Sequence, residues 1–179
     1  IHKDSTIIHK DTDIVTYTTG FNTPTVNDEL TEKDFYAKYL DRCTWEFMPK
    51  SDNYSSYNLV DAAEIVVSID STLGYEAFGR GNKTAIFGCR DDFLNLGDLK
   101  FGWPADLPNN GPFWTNDQDE TQFQRVMDYL NTVSDVDWEN KRQCYATELM
   151  EFNPCNTRLV ALLDQLLPRT DSPSNQIPC

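Results

Sequence analysis

The chain has 179 residues, with 15 basic and 29 acidic side chains, so its formal net charge at pH 7 is −14. Hydrophobic residues make up 39% of the sequence, which is enough for the core of one globular domain. The acidity argues against binding to nucleic acids by counterion release. No apolar run approaches the ~20 residues that cross a bilayer.

The first third of the chain predicts short strands and one helix. Residues 1–7 are nearly repeated as residues 8–14, but two copies do not make a repeat architecture. Alternating β-formers predict a strand over residues 12–18, and Asp28 or Thr31 can cap a helix. The chain begins without methionine. We therefore expect that it was excised from a longer protein.

The middle of the chain predicts a β-α-β unit. A short strand over residues 44–48 precedes a helix that Ser55 or Ser56 can cap. The β-branched run of residues 64–70 is typical of a strand buried on both faces in a parallel sheet. A helix follows, with Ser71-Thr72 as its cap, and the next strand covers residues 83–88. The glycines at positions 79 and 81 predict where that helix ends.

The last third predicts a long loop and three helices. Residues 91–116 are rich in Gly, Pro, Asn and aromatic residues, and a loop of this length is usually functional or mobile. Amphipathic spacing predicts helices over residues 119–132 and 135–150, and Asn156 can cap a last helix. These elements predict an α/β, Rossmann-like, three-layer domain with a parallel sheet over residues 1–168. Residues 169–179 are predicted to be a flexible tail.

The start of the helix after the buried strand is the first candidate site. Ligands of open parallel sheets bind at the carboxyl ends of the strands, where helix N–H groups and the helix dipole favour phosphate. Ser71 and Thr72 add hydroxyl groups there, and Glu76 lies one turn further on. The same pattern is equally typical of an ordinary helix cap with a carboxylate near its first turn.

The stretch from Asp61 to Ala77, with the Gly79-Arg80-Gly81-Asn82-Lys83-Thr84 that follows, resembles the donor side of GT-B glycosyltransferases. The closest likeness is to bacterial capsule and lipopolysaccharide biosynthesis proteins. The Ser-Thr pair is also similar to a motif of CMP-sugar transferases, the sialyl and Kdo types. The likeness extends over about residues 44–167, with weaker matches at residues 111–116, Trp138 and residues 153–156.

The resemblance implies roles for one group of residues. Ser71 and Thr72 would contact the donor phosphate, Glu76 the ribose or sugar, and Gly74 would permit close approach. The substrate-binding stretch comprises Asp70, Ser71, Thr72, Gly74, Tyr75 and Glu76. The His-Pro motif of CMP-sugar transferases is missing, and their base carboxylate usually comes from the other Rossmann-like half. The catalytic residues are therefore left unassigned, and this chain resembles a C-terminal donor-binding half.

Other side chains have two interpretations each. Trp103, Phe113 and Trp114 can stack on a sugar or base, or plug the edge of the sheet. Asp91-Asp92 and the cluster Asp117-Gln118-Asp119-Glu120 can hold a cation or favour a helix start.

Charged residues elsewhere are expected at the surface. Arg80 and Lys83 are expected in solvent, as are His2 and His9 in a frayed terminus. The five scattered cysteines favour thiols in a reducing compartment over disulfides.

These observations predict a nucleotide-sugar-binding domain of a glycosyltransferase in surface polysaccharide biosynthesis. Its partners would be a nucleotide-sugar donor, a glycan acceptor and an N-terminal Rossmann-like half, with no nucleic acid, metal or cofactor. Its location would be cytoplasmic or peripheral at the inner membrane. The alternative is a non-catalytic nucleotide-binding, carbohydrate-binding or scaffold module of the same fold.

Overall fold

The computed structural model describes residues 4–10, 13–19, 34, 36–40, 44–48, 52, 54–69, 71–88, 100–103 and 105–167. Its strands, in chain order, are β1 (Asp4–Lys10), β2 (Asp13–Thr19), β3 (Trp45–Met48), β4 (Ile65–Ser68), β5 (Lys83–Phe87), β6 (Asn110–Gly111) and β7 (Trp114–Thr115). The helices are α1 (Ser55–Ala62), α2 (Thr72–Arg80), α3 (Glu120–Thr132), α4 (Asp135–Ala146) and α5 (Thr157–Leu166). A 3-10 turn, Pro154–Asn156, precedes α5. Residues 36–39 are also helical.

The strands form one mostly parallel sheet in the order β3-β2-β1-β4-β5-β7-β6. Parallel pairs join β3 to β2, β4 to β5 and β5 to β7, whereas β1 is antiparallel to both of its neighbours and β6 is antiparallel to β7. The prediction of an α/β fold is confirmed, and the predicted parallel sheet is present at β4, β5 and β7, whereas β1 and β6 are antiparallel to their neighbours. Two residues separate β1 from β2, and so short a connection can join only antiparallel strands.

The predicted β-α-β unit is confirmed. Ile65 and Val66 are wholly buried on β4, which pairs in parallel with β5. Helix α2 connects the two strands and ends at Gly81, whose φ of 107° lies in the left-handed region that favours glycine. Because the unit comes from one continuous stretch, its order could be predicted from local patterns.

Helices pack on both faces of the sheet. Gly74 of α2 lies against Ser68 and Ile86, which are register partners on one face. Phe87 points to the opposite face because side chains alternate along a strand. Its ring packs against Phe123 of α3, with the ring centroids 4.7 Å apart. The three-layer arrangement is therefore present around β4 and β5.

The predicted cap of α1 is wrong, and the predicted cap of α5 lacks its side-chain hydrogen bond. Tyr54, without a side-chain hydrogen bond, is the N-cap of α1, while Ser55 Oγ donates to the Asp52 carbonyl at 2.9 Å. Asn156 is the N-cap residue of α5, as predicted, but its side chain makes no capping bond; instead Asn153 Oδ1 accepts from the backbone N–H of Arg158 at 3.0 Å. A cap depends on the chain direction before the helix, which a single residue type does not determine.

Several predictions concern residues outside the described part of the chain. These are the cap residues Asp28 and Thr31, the acidic pair Asp91-Asp92, His2, and the tail 169–179. His9 lies in β1, which pairs with β2 and with β4 at that position, so the prediction of a frayed terminus is wrong there.

The two described cysteines differ. Cys144 is an exposed free thiol, as predicted, whereas Cys155 is disulfide-bonded. The prediction of free thiols is therefore wrong for Cys155.

Candidate functional site

The parallel strands next to α2 end level with one another. Ser68, the last residue of β4, pairs with Ile86, and Phe87 at the end of β5 pairs with Thr115 at the end of β7. Helix α2 begins four residues after the end of β4. The start of α2 therefore lies at the carboxyl edge of the sheet, where open α/β sheets bind ligands.

Ser71 is the N-cap of α2. Its side chain is only 2% exposed, and its Oγ accepts a hydrogen bond from the Leu73 N–H at 3.3 Å. The Gly74 N–H donates to the Ser71 carbonyl at 3.0 Å. Ser71 therefore acts as an ordinary helix cap. The N–H groups of Leu73 and Gly74 in the first turn already have partners. Thr72, the first helical residue, is exposed and can meet a ligand.

Gly74 permits close approach, but of the helix to the sheet. A β-carbon at this position would stand 2.6 Å from the Ser68 Oγ and 2.9 Å from the Ile86 Cδ1. Real β-carbons do not come so near. The room that the resemblance implied for a ligand at Gly74 is occupied by β4 and β5.

Tyr75 holds the loop that follows β5. Its hydroxyl accepts from the Gly102 N–H at 3.0 Å, and its ring lies 5.1 Å from that of Phe101. This side chain therefore positions residues 101–102 against α2. Asp70, the remaining residue at the start of the predicted site, lies outside the described residues.

Asn116 lies directly after β7 at the same carboxyl edge and was not among the predicted site residues. It is 2% exposed, and its Oδ1 accepts from the Phe101 N–H at 2.8 Å. A β-carbon on Gly88 would stand 2.3 Å from that oxygen, so the end of β5 is pressed against Asn116. The buried Asn116 Nδ2 has no hydrogen-bond partner in the part of the chain that the structure describes.

A groove of about 590 Å³ lies beside α2. We use "the groove" for the surface lined by Tyr54, Tyr57, Asn58, Asp61, Glu76, Arg80, Met150, Glu151, Phe152, Asn153, Cys155 and Asn156. Glu76 and Arg80 lie four and eight residues after Thr72, so the three side chains form one stripe along the helix. Of the predicted substrate-binding residues that the structure describes, only Glu76 lines the groove.

Glu76 is paired with Tyr57 across the groove. The Tyr57 hydroxyl donates to the Glu76 carboxylate, and this hydrogen bond, together with burial, raises the pKa of Tyr57 above its ordinary value. The carboxylate is thus held on the outer face of α2. Its other lone pairs can accept from the hydroxyls of a ligand.

Arg80 is engaged within the groove instead of lying in solvent as predicted. Its Nε donates to the Asp61 Oδ1 at 2.9 Å, and a second nitrogen pairs with Oδ2. The guanidinium also lies 5.7 Å from the ring centroid of Tyr57 and 5.1 Å from that of Phe152. The bond to Asp61 raises the pKa of Arg80.

Lys83 is likewise not exposed. Its Nζ donates to the Val133 carbonyl at 2.9 Å and pairs with Asp135 at 3.1 Å. Both predictions of solvent exposure are wrong, because each long side chain reaches a partner on a neighbouring part of the fold.

The aromatic residues of the long loop divide between core and surface. Phe113 and Trp114 are wholly buried, and Phe78 stacks on Phe113 with centroids 5.1 Å apart. Stacking of a sugar or base on Phe113 or Trp114 would require the core to open, so the packing interpretation describes them. Trp103 is 67% exposed and plugs nothing.

Two of the acidic residues that were candidates for cation binding, Asp117 and Asp119, have other partners. Asp117 accepts from the side-chain amides of Asn109 and Asn110, each at 2.5 Å, and Asp119 caps α3 through the Thr121 N–H at 2.8 Å. The described residues contain no group of three or more His, Cys, Asp or Glu side chains that could hold a metal ion. The expectations of no metal and no cofactor stay predictions.

Comparison with known proteins identifies one family. A family model described as "putative O-antigen biosynthesis protein" matches residues 13–167. No curated protein and no solved structure matches the chain. Within the described ranges, no helix is long and apolar enough to cross a membrane.

Proposed function

The chain belongs to the O-antigen biosynthesis protein family, and on that premise we propose that it is the nucleotide-sugar-binding domain of a glycosyltransferase in surface polysaccharide assembly. The observation that carries the proposal is the carboxyl edge of the sheet. Thr72 is exposed there at the start of α2, and Asn116, directly after β7 on the same edge, carries a buried N–H group without a partner among the described residues.

Thr72 is the proposed contact to the donor phosphate. Its hydroxyl and the positive end of the α2 dipole favour an anionic group, which matters in a chain with a net charge of −14. Ser71 acts indirectly, because its hydroxyl caps the helix.

Glu76 is the proposed contact to the ribose or the transferred sugar. It lies four residues beyond Thr72 on the same stripe, a rise of about 6 Å along the helix. A carboxylate accepts hydrogen bonds from sugar hydroxyls, and the bond from Tyr57 orients it.

The proposed reaction transfers the sugar from phosphate to an acceptor hydroxyl. The bond between the anomeric carbon and the phosphate oxygen breaks, and the acceptor oxygen forms the new bond. The electron pair goes to the departing phosphate, whose charge the start of α2 stabilises. The proton of the acceptor goes to a base from the second Rossmann-like half, as the resemblance implies.

Calorimetric titration with CMP, UDP and GDP tests the donor site. We expect one nucleotide to bind, Thr72→Val to weaken it about tenfold, and Thr72→Ser, which keeps the hydroxyl, to restore it, since one charge-assisted hydrogen bond contributes about 1.5–3 kcal/mol. Binding of none of the three would overturn the proposal and favour the scaffold alternative. Binding that Thr72→Val leaves unchanged would overturn the assigned site.

A further inference from the structure

We propose that the groove binds a neutral oligosaccharide, at a site that adjoins the donor site at the start of α2, with Glu76 at the boundary between the two. Neither Ser71 nor Thr72 lines the groove. The binding itself does not depend on a donor function. The role of this oligosaccharide as the acceptor of sugar transfer rests on the proposed function.

The charges of the groove disfavour an anionic ligand. Among the described residues its lining carries three carboxylates, of which Asp61 pairs with Arg80 and Glu151 pairs with Arg158, so Glu76 is the one without a salt bridge. Arg80 is already engaged by both oxygens of Asp61, so it is not free to neutralise a phosphate. A nucleotide or acidic sugar would meet like charge there, whereas an uncharged sugar would not.

The exposed aromatic rings of the groove suit the apolar faces of sugar rings. Tyr54 is 71% exposed and Phe152 is 51% exposed, although both rings are large and apolar. The face of an aromatic ring carries partial negative charge, which attracts the polarised C–H groups on one face of a pyranose. Rings left in solvent beside a cleft are typical of a binding surface.

Hydrogen-bonding groups lie between these rings. Glu76 accepts from Tyr57 and retains further lone pairs. The side-chain amide of Asn58 is exposed and makes no hydrogen bond within the described residues, so it can both donate to and accept from hydroxyls. Aromatic faces combined with carboxylate and amide groups match the amphipathic surface of a sugar.

The size of the groove fits a short glycan. Its volume of about 590 Å³ falls within the range of roughly 300–1,000 Å³ that is typical of small-molecule sites. Phe152 also packs on Arg80, and the Arg80 side chain is joined to Asp61 of α1, so residues near 152 are held against both helices. The groove is therefore formed before any ligand binds.

Saturation-transfer NMR and calorimetry on the full chain test the proposal. The probes are maltotetraose, chitotetraose and mannotetraose, with trigalacturonic acid as an anionic counterpart. We expect at least one neutral probe to bind and to shift the ring signals of Tyr54 and Tyr57. The anionic probe should bind at least about tenfold more weakly.

Variants locate the binding. Tyr54→Ala and Phe152→Ala should each weaken binding of the neutral probe roughly 2- to 10-fold, because each removes a ring face that stacks on a sugar. Tyr39→Ala removes a tyrosine of comparable exposure outside the groove and should leave saccharide binding unchanged. Thr72→Val should also leave saccharide binding intact, which separates this site from the donor site.

Three results would overturn the inference. These are no saturation transfer to any neutral probe, equal binding of trigalacturonic acid, or unchanged binding by the folded Tyr54→Ala and Phe152→Ala variants. Failure here leaves the nucleotide titration unaffected. If no nucleotide binds but the neutral probe does, the proposed donor function is wrong, and the proposal that the groove binds an oligosaccharide is retained.

Discussion

Gly74 of α2 lies so close to Ser68 of β4 that a β-carbon at position 74 would stand 2.6 Å from both the Cβ and the Oγ of Ser68. This contact sets the height of the helix start above the carboxyl edge of the sheet. The position of Thr72, and with it the proposed donor site, therefore depends on the absence of a side chain at residue 74.

Replacing Gly74 with alanine should destabilise the protein. The added methyl group must displace Ser68 or Ile86, and such overpacking costs about 1–3 kcal/mol. Urea unfolding followed by circular dichroism measures the change in the free energy of unfolding. Ser68→Gly in the Gly74→Ala background removes the clashing atoms and should recover part of the loss. Equal unfolding midpoints for Gly74→Ala and the wild type would contradict the close contact.

Substitutions of Ser71 and of Thr72 should differ in their effect on the free energy of unfolding. Ser71→Ala removes the side-chain cap of α2 and should cost about 1 kcal/mol. Thr72→Ala alters an exposed side chain and should change the free energy of unfolding by less than about 0.5 kcal/mol. Thermal unfolding of both variants makes the comparison. A larger loss for Thr72→Ala would show that the cap is wrongly assigned.

Substitutions of the aromatic residues of the loop should lower the free energy of unfolding in proportion to the burial of each ring. Phe113→Ala opens a cavity among buried rings and should cost about 3–5 kcal/mol. Trp103→Ala is the matched control, because Trp103 is 67% exposed, and it should stay within about 0.5 kcal/mol of wild type. Chemical unfolding compares the two variants. A mild effect of Phe113→Ala would mean that this ring is available to a ligand.

The Glu139–Arg142 pair should make stability depend on pH in acid. Hydrogen bonds from Arg142 and Gln143 lower the pKa of Glu139 from 4.5 to about 2. A lowered folded-state pKa contributes stability above the unfolded-state value, and this contribution is lost as the pH falls from about 4.5 to about 2. Glu139→Gln should therefore be less stable than wild type at pH 7, and the difference should vanish near pH 2.

The size of that difference is limited by solvent. The Glu139 side chain is 47% exposed, so screening keeps the expected effect near 0.5 kcal/mol. Urea unfolding of both proteins at pH 7, 4 and 2.5 measures it. Lys141→Gln, an exchange on the same helix outside the pair, is the control. A difference that persists unchanged at the lowest pH would contradict the role of the carboxylate.

Local patterns in the sequence determined the β-α-β unit around residues 64–88. A β-branched run, a Ser-Thr cap and a terminal glycine each depend on neighbours in the chain, and β4, α2 and β5 lie where these patterns predict them. The same residues carry the resemblance to surface-carbohydrate proteins, and the family match includes them. The amino-acid sequence alone was therefore enough to predict the α/β fold class and the association with surface-carbohydrate biosynthesis.

Tertiary structure alone decided which side chains are available. Ser71 turned inward to cap its helix, Gly74 met the sheet, and Phe113 and Trp114 filled the core. Asn116 and the groove depend on contacts between residues far apart in the chain, such as Arg80 with Asp61 and with Phe152. Burial and pairing of this kind are set by how the helices pack on the sheet, and no local pattern in the sequence encodes them.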